Sequence, residues 1–130
     1  MKISIILFVL ITSSFSSIAN EIDPKDIIGI WGNSEDGGKT IWAYDQYFPN
    51  GSLKSWGRIP QTPIQFKVEG TYEVKHKFKT SSCLTISKTS HPELMPVGEH
   101  WCDEIIELND KVFVYKSSDG EITILYRQDL

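Results

Sequence analysis

The sequence predicts an all-β domain in which short antiparallel strands form an up-and-down meander and close into a small barrel. The clearest evidence is the segment 64–74, where apolar residues alternate with polar ones, as in a strand with one buried face. Asn50-Gly51 lies between two β-like runs, which is typical of a hairpin turn. Helical periodicity is nearly absent, and a long sheet in a small chain must close or fold on itself. A two-sheet β-sandwich is the alternative.

Each predicted strand is bounded by turn residues. Gly37-Gly38 marks a loop after the first apolar run, and Pro60 and Pro63 interrupt the ladder because proline donates no backbone hydrogen bond. Gly70 is predicted to mark a bulge or a sharp bend. The predicted strands or apolar runs are 27–31, 40–48, 53–59, 64–74, 83–87, 99–108, 112–116 and 122–127.

Composition and the N-terminus bound the class of protein. The chain has 130 residues, 40% of them hydrophobic, and a net charge of −4. This composition excludes a disordered chain and argues against nucleic acid as a partner. Lys2, the apolar run 3–11 and Ser17-Ile18-Ala19 predict a signal peptide over 1–19, with a buried N-terminal helix as the alternative. Residues 20–130 are then one exported domain, periplasmic or secreted. The apolar run at 3–11 is about half as long as the ~20 residues that a membrane span requires. No membrane span is therefore expected in the mature chain.

The two cysteines, Cys83 and Cys102, predict a disulfide, because an even count in an exported protein favours pairing. Two free thiols, or half of a metal site, are the alternatives. If the cysteines face each other across a hairpin, Thr85 faces His100, and the antiparallel register is self-consistent.

Four short motifs follow one another along the chain: Gly29-Ile30-Trp31, Tyr47-Phe48-Pro49-Asn50-Gly51, Tyr72-Glu73-Val74 and Leu125-Tyr126-Arg127. In this order they resemble those of small bacterial exported lipocalin-like (calycin-type) β-barrel proteins of undefined role. The resemblance implies structural roles for Gly29, Trp31 and Arg127, with the arginine packed over the tryptophan. An indole suits the plugging of a barrel end, and a guanidinium on its face adds cation–π attraction.

The resemblance and the many aromatic residues favour a binding protein that holds a small apolar or amphipathic ligand. The predicted lining residues are Trp42, Tyr44, Phe66, Tyr72 and Trp101. Trp42 and Tyr44 share one face of their strand, Ala43 and Tyr47 share the other, and the sequence leaves open which face is inside. The alternative function is a protein-interaction module, such as an inhibitor of a periplasmic or extracellular enzyme, that uses the loops 60–63 and 91–96.

No residue pattern predicts an enzyme, a cofactor or a metal site. Asp103 and Glu104 are adjacent, so they point to opposite faces of a strand and do not form a paired-carboxylate site. The three histidines, His76, His91 and His100, are not spaced as metal ligands. The sequence therefore predicts binding without catalysis.

Overall fold

The computed structural model describes residues 21–130, which form one closed barrel of eight antiparallel strands in chain order. The predicted meander barrel is confirmed, and the two-sheet sandwich is not the fold. The predicted signal peptide at 1–19 lies outside the described residues. Within 21–130, no helix is long and apolar enough to cross a membrane. The strands are β1 (Gly29–Asn33), β2 (Ala43–Tyr47), β3 (Ser52–Arg58), β4 (Gln65–His76), β5 (Thr80–Thr89), β6 (His100–Leu108), β7 (Val112–Lys116) and β8 (Ile122–Gln128).

The barrel closes where β8 pairs with β1, with Arg127 opposite Trp31. Every other pairing joins neighbours in sequence, as the turn residues between the strands predict. The turn at Asn50-Gly51 joins β2 to β3, and Gly51 has a φ of 88°, a conformation that glycine adopts without strain.

Strand β4 shows the alternation that the sequence predicts. Val68 and Gly70 are buried, whereas Lys67 and Glu69 are exposed. The register against β5 shifts between Glu69 and Gly70, which confirms the predicted irregularity. A Cβ atom at Gly70 would lie 2.2 Å from the carbonyl oxygen of Thr85, so only glycine fits here.

The predicted disulfide is confirmed, since Cys83 on β5 is bonded to Cys102 on β6 and the two residues are directly opposite in the register. Thr85 faces His100, as expected, and its hydroxyl lies 2.8 Å from Nδ1 of that histidine. Ser82 and Leu84, the neighbours of Cys83 on β5, face the barrel interior. Cys83 therefore faces outward, and the disulfide links β5 to β6 on the outer face of the barrel.

One end of the barrel is closed by the 3₁₀ helix Pro24–Ile27 and by Trp31, which is completely buried. The indole N–H of Trp31 donates to the carbonyl oxygen of Ile27 at 2.9 Å. Phe113 packs edge-on against the indole ring, with the ring centroids 5.6 Å apart.

Arg127 covers this closed end. Its guanidinium carbon lies 4.1 Å from the ring centroid of Trp31, within the range of a cation–π contact. The same group donates to the carbonyl oxygens of Ile28, at 2.6 Å, and Asp26, at 2.8 Å. Gly29 has a φ of 135°, and a Cβ there would lie 2.1 Å from Nη1 of Arg127, so a side chain would displace the arginine.

Candidate binding cavity

The other end of the barrel contains a cavity of about 250 Å³. Strand β2 forms part of the cavity wall, because its residues Ala43, Asp45 and Tyr47 face the barrel interior. Tyr47 and Phe113 belong both to the cavity wall and to the packed core of the closed end, so they form the floor. Near the open end, the wall includes Trp42, Phe66, Met95, Glu99 and Trp101.

Three of the five predicted lining residues contribute to this wall: Trp42, Phe66 and Trp101. Trp101 is 37% exposed, which places it at the mouth of the cavity. Met95 comes from the loop between β5 and β6, so this loop reaches the cavity.

The structure places the other two predicted lining residues elsewhere. Tyr44 lies on the outer face, where its ring stacks on Trp56 with the centroids 5.5 Å apart. Contrary to expectation, it does not line the cavity, because the opposite face of β2 is the inner one. Tyr72 packs edge-on against Tyr47 at 4.9 Å and donates its hydroxyl proton to the carbonyl oxygen of Phe48 at 2.6 Å. Its position is in the core below the cavity.

Two inward-facing carboxyl groups, which the sequence did not assign to a binding cavity, form part of the cavity wall. Asp45 accepts hydrogen bonds from the hydroxyl of Ser55 at 2.7 Å and from the amide of Asn33 at 3.2 Å. Asp103 on β6 is 8% exposed and faces Ser82 on β5 in the register. Both hydrogen-bond partners of Asp45 are neutral groups, so they supply no positive charge to its carboxyl group.

Ser82 is a third polar residue of the wall that the sequence did not assign to a cavity. It is 1% exposed and lines the cavity. Among the residues from 21 to 130, its Oγ is the buried side-chain polar atom that has no hydrogen-bond partner. Buried hydroxyl groups nearly always form hydrogen bonds, so the unpaired hydroxyl of Ser82 is an unusual feature of the wall.

The electrostatics of the cavity disfavour negative charge. Burial raises the pKa of Asp45, against the opposing effect of the hydrogen bonds from Ser55 and Asn33. Burial also raises the pKa of Asp103. At Tyr115, burial and then the charge of Asp45 raise the pKa to about 12, so its phenol stays protonated. Within the described wall, the ionisable groups are acids and tyrosines, and no lysine, arginine or histidine lines the cavity.

Replacing Asp45 with asparagine is expected to stabilise the barrel at neutral pH. The pKa of Asp45 is higher in the folded chain than its unfolded value of about 3.9, so the wild type loses stability as pH rises from that value through the folded pKa. Asp45→Asn keeps the acceptor for Ser55 and removes this loss. Thermal unfolding should therefore show a higher Tm for the variant at pH 7 and nearly equal values at pH 3. A lower Tm of the variant at pH 7 would contradict the role of burial.

The part of the chain that the structure describes contains no candidate metal centre. Between residues 21 and 130, no group of three or more His, Cys, Asp or Glu side chains is arranged to hold a metal ion.

Solved structures of bacterial proteins share this architecture. A lipocalin-like protein from Bacteroides uniformis matches with a TM-score of 0.57 at 15% identity, and the match covers 79% of this chain and 99% of that one. The chain has a lipocalin-like fold. An uncharacterized protein from Bacteroides eggerthii matches with a TM-score of 0.53 at 15% identity, covering 78% of this chain and 99% of that one. No family model and no curated protein matches the sequence. At this identity the lipocalin-like likeness concerns the fold, so function is argued from the cavity.

Proposed function

We propose that this protein binds a small amphipathic organic molecule in the open end of its lipocalin-like barrel, without catalysing a reaction. The observation that carries the proposal is the cavity itself, which combines the aromatic side chains of Trp42, Phe66 and Trp101 with a few inward polar groups. A mostly apolar concavity with a few placed polar groups is the usual form of a small-molecule site. Lining residues Trp42, Phe66 and Trp101 would contact the ligand.

The size of the cavity limits the ligand. Since an apolar cavity of about 150 Å³ accommodates benzene, a cavity of about 250 Å³ accommodates a molecule of about ten non-hydrogen atoms. A long-chain lipid would not fit within this volume. The proposed ligand is therefore a compact metabolite with an apolar or aromatic body.

The proposed place of binding is outside the cytoplasm. The Cys83–Cys102 disulfide is of the kind that persists in an oxidising compartment. The signal peptide predicted over 1–19 agrees with this assignment and remains a prediction. The ligand would then be met in the periplasm or the extracellular medium.

Native mass spectrometry of the protein purified from its own exported fraction, with the disulfide intact, tests this proposal. We expect an added mass on the order of 150 Da, corresponding to about ten non-hydrogen atoms, that disappears on denaturation. Val68→Trp should fold and lose that mass, because Val68 lines the cavity and the larger ring would occupy it.

The matched control is Val114→Trp, the same substitution on β7 at a position between the inward residues Phe113 and Tyr115. This variant should retain the added mass. Loss of the mass in both variants would place the binding elsewhere, and the absence of any added mass, together with no binding of small organic probes, would refute the proposal.

A second candidate function is protein interaction through the loop between β5 and β6. Leu94 and Val97 lie three positions apart in this loop and are 51% and 61% exposed, so they offer apolar surface to a protein partner. A stoichiometric protein recovered with the wild type but not with a Leu94→Ser/Val97→Ser variant would favour this function over small-molecule binding.

A further inference from the structure

We propose that the ligand is an organic cation, a small amine with an apolar or aromatic body, whose ammonium group is held between Asp45, Asp103 and Ser82. This inference rests on the proposed function and names the chemical class of the ligand. It depends on three features of the inner wall: the placement of the carboxyl groups, the absence of a neutralising cation among the described residues, and the unpaired hydroxyl.

The two carboxyl groups lie on opposite walls of the cavity. Asp45 is on β2 and Asp103 is on β6, and four strand positions separate these strands in a closed barrel of eight. Both residues line the same cavity. A ligand that enters the barrel therefore has a carboxyl group on either side of it.

The described part of the chain supplies no positive charge to these groups. The ion pairs among residues 21–130 are Lys75–Glu73 and Lys79–Glu104, and neither involves the cavity. Asp45 is held by the neutral groups of Ser55 and Asn33. A buried carboxylate without a counter-ion is unfavourable, and a protonated amine is the ligand group that would remove this penalty.

Ser82 provides an independent indication of a polar ligand group. Its hydroxyl is buried in the wall and unpaired, and the register places it directly opposite Asp103. Facing positions on neighbouring antiparallel strands have Cβ atoms about 5 Å apart. An ammonium group next to Asp103 could therefore donate to the Ser82 oxygen as well, since it has several N–H donors.

The aromatic residues fit the rest of such a ligand. Trp42, Phe66 and Trp101 present apolar ring surface at the open end of the same cavity. Rings of this kind attract cations through their faces and also pack against an aromatic body. An anionic ligand would instead meet the carboxyl groups and the acid Glu99.

Three probes of similar size and different charge test the inference: 2-phenylethylamine, 2-phenylethanol and phenylacetate. Isothermal titration calorimetry at pH 7, on the mature chain with the disulfide intact, should show the amine binding about tenfold or more tighter than the alcohol, as expected for a charge-assisted hydrogen bond. Phenylacetate should bind more weakly than the alcohol.

Single substitutions test whether the preference for the amine over the alcohol arises in the cavity. Asp103→Asn should weaken binding of the amine by about tenfold and change binding of the alcohol little. Asp110→Asn is the matched control, because it removes the same charge from an exposed turn outside the cavity. Cooperative thermal unfolding of each variant checks that the barrel is intact, and Asp45→Asn gives a second cavity variant.

The outcomes separate this inference from the proposed function. If the alcohol binds as tightly as the amine, the inference that the ligand is a cation is wrong, while the proposal of small-molecule binding stands. If Asp103→Asn and Asp110→Asn weaken binding of the amine equally, the overall charge of the protein explains the preference for the amine and the inference is wrong. If none of the three probes binds, the inference fails, and native mass spectrometry then decides separately whether the cavity holds another class of molecule.

Discussion

Replacing Trp31 with alanine is expected to reduce the free energy of unfolding by about 3–5 kcal/mol, the range for truncating a large buried aromatic side chain. Trp31 is 0% exposed and its ring contacts both Phe113 and the guanidinium of Arg127. Its truncation also removes the hydrogen bond to the carbonyl oxygen of Ile27. Because domains of this size have a total stability of about 5–15 kcal/mol, this loss is a large fraction of the total.

Urea denaturation followed by circular dichroism measures this loss. Trp56→Ala is the matched control, since Trp56 lies on the outer face and stacks only on Tyr44 among the described aromatic rings. Losing that pair should reduce stability by about 0.5–1.5 kcal/mol. Equal effects of the two substitutions would show that the closed end is not the main source of stability.

Removing the disulfide with the double substitution Cys83→Ser/Cys102→Ser is expected to reduce the free energy of unfolding by about 3 kcal/mol. The crosslink joins residues 19 positions apart, and freeing this loop raises the conformational entropy of the unfolded chain. Because the disulfide lies on the outer face, the cavity should keep its affinity for small organic probes in the folded variant.

Denaturant unfolding of the wild type and of the double-serine variant, each with and without reductant, checks this expectation. Reductant should destabilise the wild type to the level of the variant and should leave the variant unchanged. A wild type that is as stable reduced as oxidised would contradict a stabilising role of the crosslink.

The barrel could be predicted because its strongest signals are local. Alternation over 64–74 fixes which side chains of β4 share a face, and the Asn50-Gly51 turn fixes the direction of the next strand. Once Cys83 is assumed to face Cys102, the antiparallel rule places Thr85 opposite His100, and the structure shows both pairs.

The cavity wall was harder to predict, because the two faces of β2 carry similar residues. Aromatic side chains occur on both, so periodicity could not tell Tyr44 on the outside from Tyr47 on the inside. The inward face is decided by packing against the floor residue Phe113, with which Tyr47 makes a ring contact at 6.1 Å. This contact joins residues far apart in sequence.

The polar residues of the wall were missed for a different reason. Aspartate and serine in a strand are ordinarily interpreted as solvent-facing. A usable signal was their phase, since Asp45 lies on the same strand face as Ala43 and Tyr47, and Asp103 lies on the same face as Trp101 and Ile105. Polar residues in phase with apolar ones on a barrel strand indicate a functional interior, which local propensity does not reveal.

The two ends of the barrel thus have different roles in this account. At the closed end, Trp31 and Arg127 contribute packing and hydrogen bonds that hold the strands together. At the open end, among residues 21–130, Asp45 has neutral hydrogen-bond partners and no counter-ion, and the Oγ atom of Ser82 has no hydrogen-bond partner. Groups that reduce stability are expected where function requires them.

Nuclear magnetic resonance of the indole N–H groups during titration with 2-phenylethylamine tests whether a small amine binds inside the cavity. The four tryptophans divide between the cavity wall (Trp42 and Trp101), the closed core (Trp31) and the outer face (Trp56). We predict that the signals of Trp42 and Trp101 shift and saturate together, while those of Trp31 and Trp56 stay in place. Shifts confined to Trp56 would contradict binding of the amine in the cavity, and no shift at any tryptophan would contradict the organic cation as the ligand.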